Sequence, residues 1–241
     1  MHAPTQNAPI RLYWDVHSGH AHRVQLMLSL LGLSYSLVPV SLRQGEHKSA
    51  AFLAINPLGQ LPAIEDGPIR LFDSLGILTY LALRYDRERR WLPEDPVAAA
   101  EVARFLGFAA GPLEFGCADA RLHHVYGVRL DIDQAVAIAH KYCAILDAEL
   151  ETRAFLAGPA PTIADVANYS FLAHADEGGV NLGPYPAIMD WLERVAALPG
   201  FVPMARADMG PPPRLNRTAG RRRSLARKRA MGDRPDPSPR A

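Results

Sequence analysis

The spacing of apolar residues changes period several times along the chain. Ile10–Trp14 is a short run of strand formers, and after a polar loop Val24, Met27, Leu28 and Leu31 recur at helical spacing. Gly32 stands where a helix closes, and 35–40 then alternates as a second strand. A strand, a crossover helix and a second strand form a βαβ unit, so these two strands are expected to lie parallel. A short helix is predicted over 49–55. Strands follow at 61–65 and Ile69–Phe72, joined by the turn Asp66-Gly67-Pro68 and expected to pair antiparallel. Ser74 is expected to cap a helix carrying Leu75, Leu78, Leu81 and Ala82 and ending near Tyr85. The order is βαβαββα.

The charged stretch from Asp86, with Pro93 and Pro96, reads as a linker. Beyond it only helical periodicities occur, at 98–108, 131–149, 163–173 and 186–198. Thr162-Ile163-Ala164-Asp165 is a capping-box start: the Thr oxygen serves the first-turn amides while the Asp carboxylate turns back to the cap. The expected partition is one α/β domain over 9–86, a linker over 87–97, an all-helical domain over 98–205 and a tail over 206–241.

Composition sharpens this picture in three places. Hydrophobic residues make up 49% of the 241, enough for a sizeable core. Residues 214–241 hold ten Lys and Arg against two acids, a net +8 in a chain of net +1, which leaves −7 on the rest. That tail has almost no large apolar residues and is expected to be disordered; it lacks the interleaved aromatics that single-stranded nucleic-acid binding favours, so no nucleic-acid partner is expected. Two cysteines, Cys117 and Cys143, are too few for a disulfide framework and lack metal-ligand spacing. Both are expected to be free thiols in a reducing cytoplasm. No apolar stretch approaches the roughly 20 residues of a membrane span.

The candidate chemistry lies in the first third. Pro62, inside Asn56-Pro57-Leu58-Gly59-Gln60-Leu61-Pro62, sits at a strand start where a cis bond would turn the Leu61 amide and carbonyl outward as an open edge for an extended peptide. An ordinary loop proline is the plain alternative. Those residues, Asp73-Ser74 opening a helix, and the Thr162–Asp165 cap in a helical second half occur together in this order. Together they resemble the glutathione transferase superfamily over roughly residues 10–204, in its bacterial, serine-type form. Gly45-Glu46-His47-Lys48-Ser49 is most similar to the phi-type members.

The resemblance implies a thioredoxin-like βαβαββα domain holding glutathione as co-substrate, followed by the all-helical domain of that superfamily. It assigns the Leu61 main chain, next to Pro62, to the cysteinyl unit, and Asp73 and Ser74 to the γ-glutamyl end. His47, Lys48 and Gln60 would meet the glycyl carboxylate, for which a cation and polar donors are suitable partners. Asp73 stands where Glu is commoner in the family. Ser18 would donate a hydrogen bond to the glutathione sulfur, favouring thiolate over thiol, with the helix start adding a favourable dipole. Ser18 is equally placed as a plain helix N-cap, and Tyr13 and His20 are nearby substitutes.

The first domain has no cysteine, which argues against a mixed-disulfide mechanism run by a protein thiol. The expected activity is glutathione transfer to a small hydrophobic electrophile, or reduction of a peroxide or disulfide, in a homodimer; the rival is a non-catalytic binding or regulatory module of the same fold. His17, His20 and His22 do not converge as a metal set would. His123, His124 and Tyr126 are read as a helix end or as second-substrate contacts. Phe105, Phe108, Leu113 and Phe115 are read mostly as core.

Overall fold

A computed structural model describes residues 8–208. The segment expected to be disordered lies, from residue 209 onward, outside the described residues. Strand β1 (Ile10–Trp14) leads through a short loop into α1 (Gly19–Leu30), and β2 (Tyr35–Pro39) returns parallel to β1 with Leu12 opposite Leu37. A 3-10 turn (Glu46–Lys48) and a single helical turn, α2 (Ala50–Leu53), precede the hairpin of β3 (Ala63–Asp66) and β4 (Ile69–Phe72). Both hairpin partners are antiparallel, as β1 and β3 are, and the sheet order is β2-β1-β3-β4. Helix α3 (Ser74–Tyr85) completes a thioredoxin-like unit.

β3 starts at Ala63, two residues later than expected. Proline has no amide to give to a ladder, and the Leu61-Pro62 peptide is cis, so pairing begins only after it. The cap of α3 also differs. Asp73, not Ser74, is the N-cap, its Oδ1 accepting from the amides of Leu75 and Gly76 at 2.9 Å each, and Ser74 is the first helical residue.

The rest is helical: α4 (Pro96–Ala110), a π-helical turn (Glu114–Ala118), α5 (Asp119–Tyr126), α6 (Ile132–Leu150), α7 (Ile163–Leu172), a 3-10 turn (Ala175–Gly178) and α8 (Pro186–Ala196). Asp95 caps α4 and Pro96 takes its first position, where a missing amide is no loss. Thr162 and Asp165 form the expected capping box on α7, a helix buried along its whole length. Among the described residues no helix is long and apolar enough to cross a membrane.

One large apolar cluster joins α1 and α3 to α4, α6 and α7, with Phe105, Tyr142 and Trp191 fully enclosed. A smaller cluster of Tyr13, Val40, Phe52, Leu61 and Ala63 lies on the other side of the sheet. Cys117 and Cys143 are buried free thiols in contact with each other; hydrogen bonding to Cys143, then burial, pushes the Cys117 thiol up. Phe105 and Leu113 are core as expected, but Phe115 is 58% exposed. It sits within the π-helical turn, where the extra residue shifts the helical phase and rotates it outward.

Candidate functional site

The loop between β1 and α1 is shaped by Asp15. Its carboxylate accepts from the His17 amide at 3.0 Å and from the Leu42 amide at 3.1 Å, holding the chain so that Ser18 opens α1. Ser18 is the helix N-cap: its Oγ accepts from the Ala21 amide at 3.2 Å. Capping uses an oxygen lone pair and leaves the hydroxyl proton free to be donated, so the cap and a donor role coexist.

The segment 56–62 is braced from within. Asn56, almost fully buried, donates to the Gln60 carbonyl at 2.7 Å and accepts from the Leu58 amide at 3.0 Å. Lys48 Nζ donates to the carbonyls of Gly59 at 2.7 Å and Leu58 at 3.2 Å. Gly59 has φ of 58°, and a Cβ there would stand 2.8 Å from the His47 carbonyl, so only glycine fits. His47, Lys48 and Gln60 therefore gather around one turn. Burial and the neighbouring Lys48 hold the His47 imidazole below its ordinary value, and its Nδ1 is enclosed without a partner. The Leu61 main chain makes no hydrogen bond to another described residue. It offers an open amide and carbonyl beside the cis proline.

Asp73 has φ of 71°, a left-handed conformation that costs a non-glycine residue on the order of 1–3 kcal/mol. The conformation points its carboxylate back onto the first amides of α3 and sets Ser74 beside the helix start. All eight residues read from the sequence, Ser18, His47, Lys48, Gln60, Leu61, Pro62, Asp73 and Ser74, border one cavity of about 480 Å³. Tyr13 does not. Its hydroxyl donates to Glu65 at 3.1 Å, and burial with that bond pushes the phenol up.

Three further ionisable side chains border this cavity, His20, Arg23 and Glu114. Arg23 is buried in α1, its Nη1 donating to His20 Nδ1 at 3.0 Å and to Ser74 Oγ at 3.4 Å; its Nε and Nη2 meet no partner, and its guanidinium lies 4.9 Å from the Phe171 ring centre. Burial pulls its pKa down to about 10, with Glu114 the largest opposing influence, so it is a cation at neutral pH. On the other side of His20, Nε2 lies 3.2 Å from Glu114. Burial raises the Glu114 carboxyl, but the His20 bond and charge and the charge of Arg23 bring it below its ordinary value. Because Arg23 can only donate, His20 Nδ1 must accept and Nε2 must carry the proton toward Glu114. Both ring nitrogens are committed, which leaves His20 poorly placed to act as a base.

Sequence reasoning missed Arg23 and Glu114. The signal for Arg23 was present, a guanidinium inside the otherwise apolar run of α1. Glu114 carried none, since a π-helical turn has no periodicity to read. Of the three early histidines, His22 points away from the cavity, its Nδ1 meeting Ser170 Oγ at 2.8 Å and its Nε2 the Val202 carbonyl at 2.9 Å. His123 and His124 lie on the last turn of α5, and Tyr126 borders a smaller hollow beside Ser18.

A thioredoxin-like unit with an open main-chain edge beside a cis proline, joined to a helical bundle, defines a class of thiol-peptide-binding proteins. The family models bear this out. The description "Glutathione S-transferase, N-terminal domain" matches residues 8–83 and "Glutathione S-transferase, C-terminal domain" matches 121–199. The chain belongs to the glutathione S-transferase family. It is 33% identical over 221 residues to glutathione S-transferase 3 of Zea mays, covering 86% of this chain and 97% of that protein. It is 30% identical over 201 residues to glutathione S-transferase theta-1 of Mus musculus, covering 79% and 84%. Among solved structures it is similar to a glutathione S-transferase from Pseudomonas fluorescens Pf-5, with a TM-score of 0.77, 32% identity, and coverage of 83% of this chain and all of that one.

Proposed function

We propose that the protein is a serine-type glutathione transferase in which Ser18 holds the glutathione sulfur as thiolate. The observation that carries this reading is the convergence of Ser18, the open Leu61 edge and the Asp73-Ser74 helix start on one cavity. In the reading, the Leu61 main chain pairs with the cysteinyl unit and directs its sulfur toward Ser18. Ser74, by its hydroxyl and its main-chain amide, receives the γ-glutamyl carboxylate, and Asp73 Oδ2 its ammonium. Lys48, with His47 and Gln60, faces the glycyl carboxylate.

A free thiol with pKa of about 8.5 is only a few per cent ionised at neutral pH, and a hydrogen bond to a charged acceptor contributes about 1.5–3 kcal/mol. One hydroxyl with the helix dipole therefore suffices to bring the thiol near neutrality. Small electrophiles are the proposed second substrates, and the assembly is proposed to be a cytoplasmic homodimer. The test is steady-state conjugation of glutathione to iodoacetamide. Ser18→Ala is expected to lower kcat about 10- to 150-fold, the rate equivalent of that hydrogen bond, with glutathione KM changed much less. Unchanged turnover in Ser18→Ala would remove Ser18 from the mechanism.

A further inference from the structure

Arg23 is a buried cation that no carboxylate among the described residues touches. It stands on the inner face of α1, 1% exposed, and its Nη1 donates to a ring nitrogen of His20 and to the Ser74 hydroxyl. Its Nε and Nη2 have no partner among the described residues. Burial pulls its pKa down to about 10 against the charges of Glu114 and Asp73, which lie near without bonding to it. An unpaired charge is costly to bury. The Phe171 ring, 4.9 Å away, holds one side of the guanidinium, and Gly19 admits that ring: a Cβ there would stand 2.7 Å from it.

The charged groups bordering the larger cavity are Arg23 and Lys48 against Asp73 and Glu114, with the imidazoles of His20 and His47. Most are already engaged. Lys48 donates to the Leu58 and Gly59 carbonyls, Glu114 meets His20 at 3.2 Å, and Asp73 Oδ1 caps α3. Ser74 is where the charge of Arg23 comes to bear on the cavity. Because Asp73 is the N-cap, the Ser74 hydroxyl is not spent on the helix. A guanidinium can only donate, so Ser74 Oγ accepts from Arg23, at 3.4 Å, and its own proton is left for an acceptor in the cavity.

We propose that Arg23 is a positioning residue for glutathione: it turns the Ser74 hydroxyl toward the γ-glutamyl carboxylate and provides that carboxylate with a buried counter-charge. The proposal rests on the reading of Ser74 as the group that receives this carboxylate. Water screens the attraction little in an enclosed site, so loss of the cation weakens the hold on the carboxylate and leaves the other contacts of the peptide in place.

S-methylglutathione and its counterpart with 4-aminobutanoyl in place of the γ-glutamyl unit form a matched pair of probes. The second keeps the ammonium and the glycyl carboxylate and lacks only the γ-glutamyl carboxylate. Titration calorimetry at neutral pH reads the ratio of their dissociation constants. Wild type is expected to bind S-methylglutathione at least about tenfold more tightly. Arg23→Met is expected to shrink that ratio at least about threefold while the counterpart's affinity stays within about twofold of wild type. Arg23→Lys, which keeps the charge and loses the planar fork, is expected to fall between the two. Arg23→Gln carries the same expectation as Arg23→Met and takes its place if that variant does not fold. An unchanged ratio in the neutral variant, or an equal fall for both probes, overturns the inference and leaves the Ser74 reading standing. A wild type that binds both probes equally overturns the two together. Neither probe has a free thiol, so none of these results bears on Ser18.

Discussion

At the scale of single residues, His22 shows how burial becomes a pH dependence. Its ring is enclosed between Ser170 and the Val202 carbonyl, and desolvation lowers its pKa to about 4. The unfolded chain, with a His value near 6.5, binds this proton more readily, so the stabilisation is fully present above about pH 6.5 and is lost as pH falls toward 4. Glu177 follows at lower pH: burial raises it, but the His174 bond and the Arg121 charge outweigh that and bring it to about 2. Its contribution is lost from the ordinary Glu value, about 4.3, down to that folded value. Denaturant titrations between pH 4 and 7 are expected to show stability rising with pH by up to about 1.4 kcal/mol per pH unit from His22. His22→Gln flattens that slope; an unchanged slope in the variant would assign the dependence elsewhere. The contacts of His22 with Ser170 and Val202, and of Arg121 with Glu177, join residues far apart in sequence, so nothing in the chain announces them.

Elements were legible where one periodicity ran long enough to be seen. β1, β4, α1, α6 and α7 appear where runs of strand formers or helical spacing placed them, α1 and α6 with one face against the core and α7 buried all round. Between 111 and 130 only a helix end at His123, His124 and Tyr126 was expected, with no bounds, and the structure has two elements, the π-helical turn and α5, which ends at Tyr126. Gly111 and Pro112 interrupt the pattern, and the π turn moves its phase, so Leu113 faces inward while Phe115 faces out. The capping box of α7 was readable from four letters, but its reach was not. Asp165 accepts from the amides of Leu156 at 2.9 Å and Thr162 at 2.8 Å and from the Trp191 indole at 2.9 Å, tying α7 to α8 and to the preceding loop. Asp165→Ala strands these three buried N–H donors, besides the Thr162 hydroxyl at 3.3 Å, and is expected to cost at least about 3 kcal/mol, measured as a lower denaturation midpoint. A loss below about 1 kcal/mol would mean that water replaces the carboxylate.

At the scale of the whole molecule, the helical part reaches into the site through Arg121. Its ion pair with Glu177 is almost fully buried, and its other nitrogen holds the His17 carbonyl, one residue before Ser18. Arg121→Met takes the guanidinium from buried Glu177, leaving it His174 and the Ala207 amide, and is expected to cost about 3–5 kcal/mol; Arg121→Met with Glu177→Gln, which removes the charge and keeps an acceptor, is expected to recover part of it, in denaturation measurements. Light scattering is expected to find twice the 26.4 kDa chain mass for the proposed homodimer, and a monomer would contradict it. The cavity-lining residues of the first domain were readable because main-chain geometry dictates their types: glycine at a left-handed turn, proline at a cis bond, an acid and a serine at a helix start. The smaller hollow beside Ser18 was not, because Glu114, Asp119 and Phe171 meet only when three helical segments pack. The central claim is that Ser18 ionises the glutathione thiol, and ultraviolet titration of the bound thiolate reads it directly. Wild type is expected to move the thiol from about 8.5 to nearer 6.5, and Ser18→Ala to return most of that change. Glutathione that binds both proteins with its thiol still near 8.5 would contradict the account.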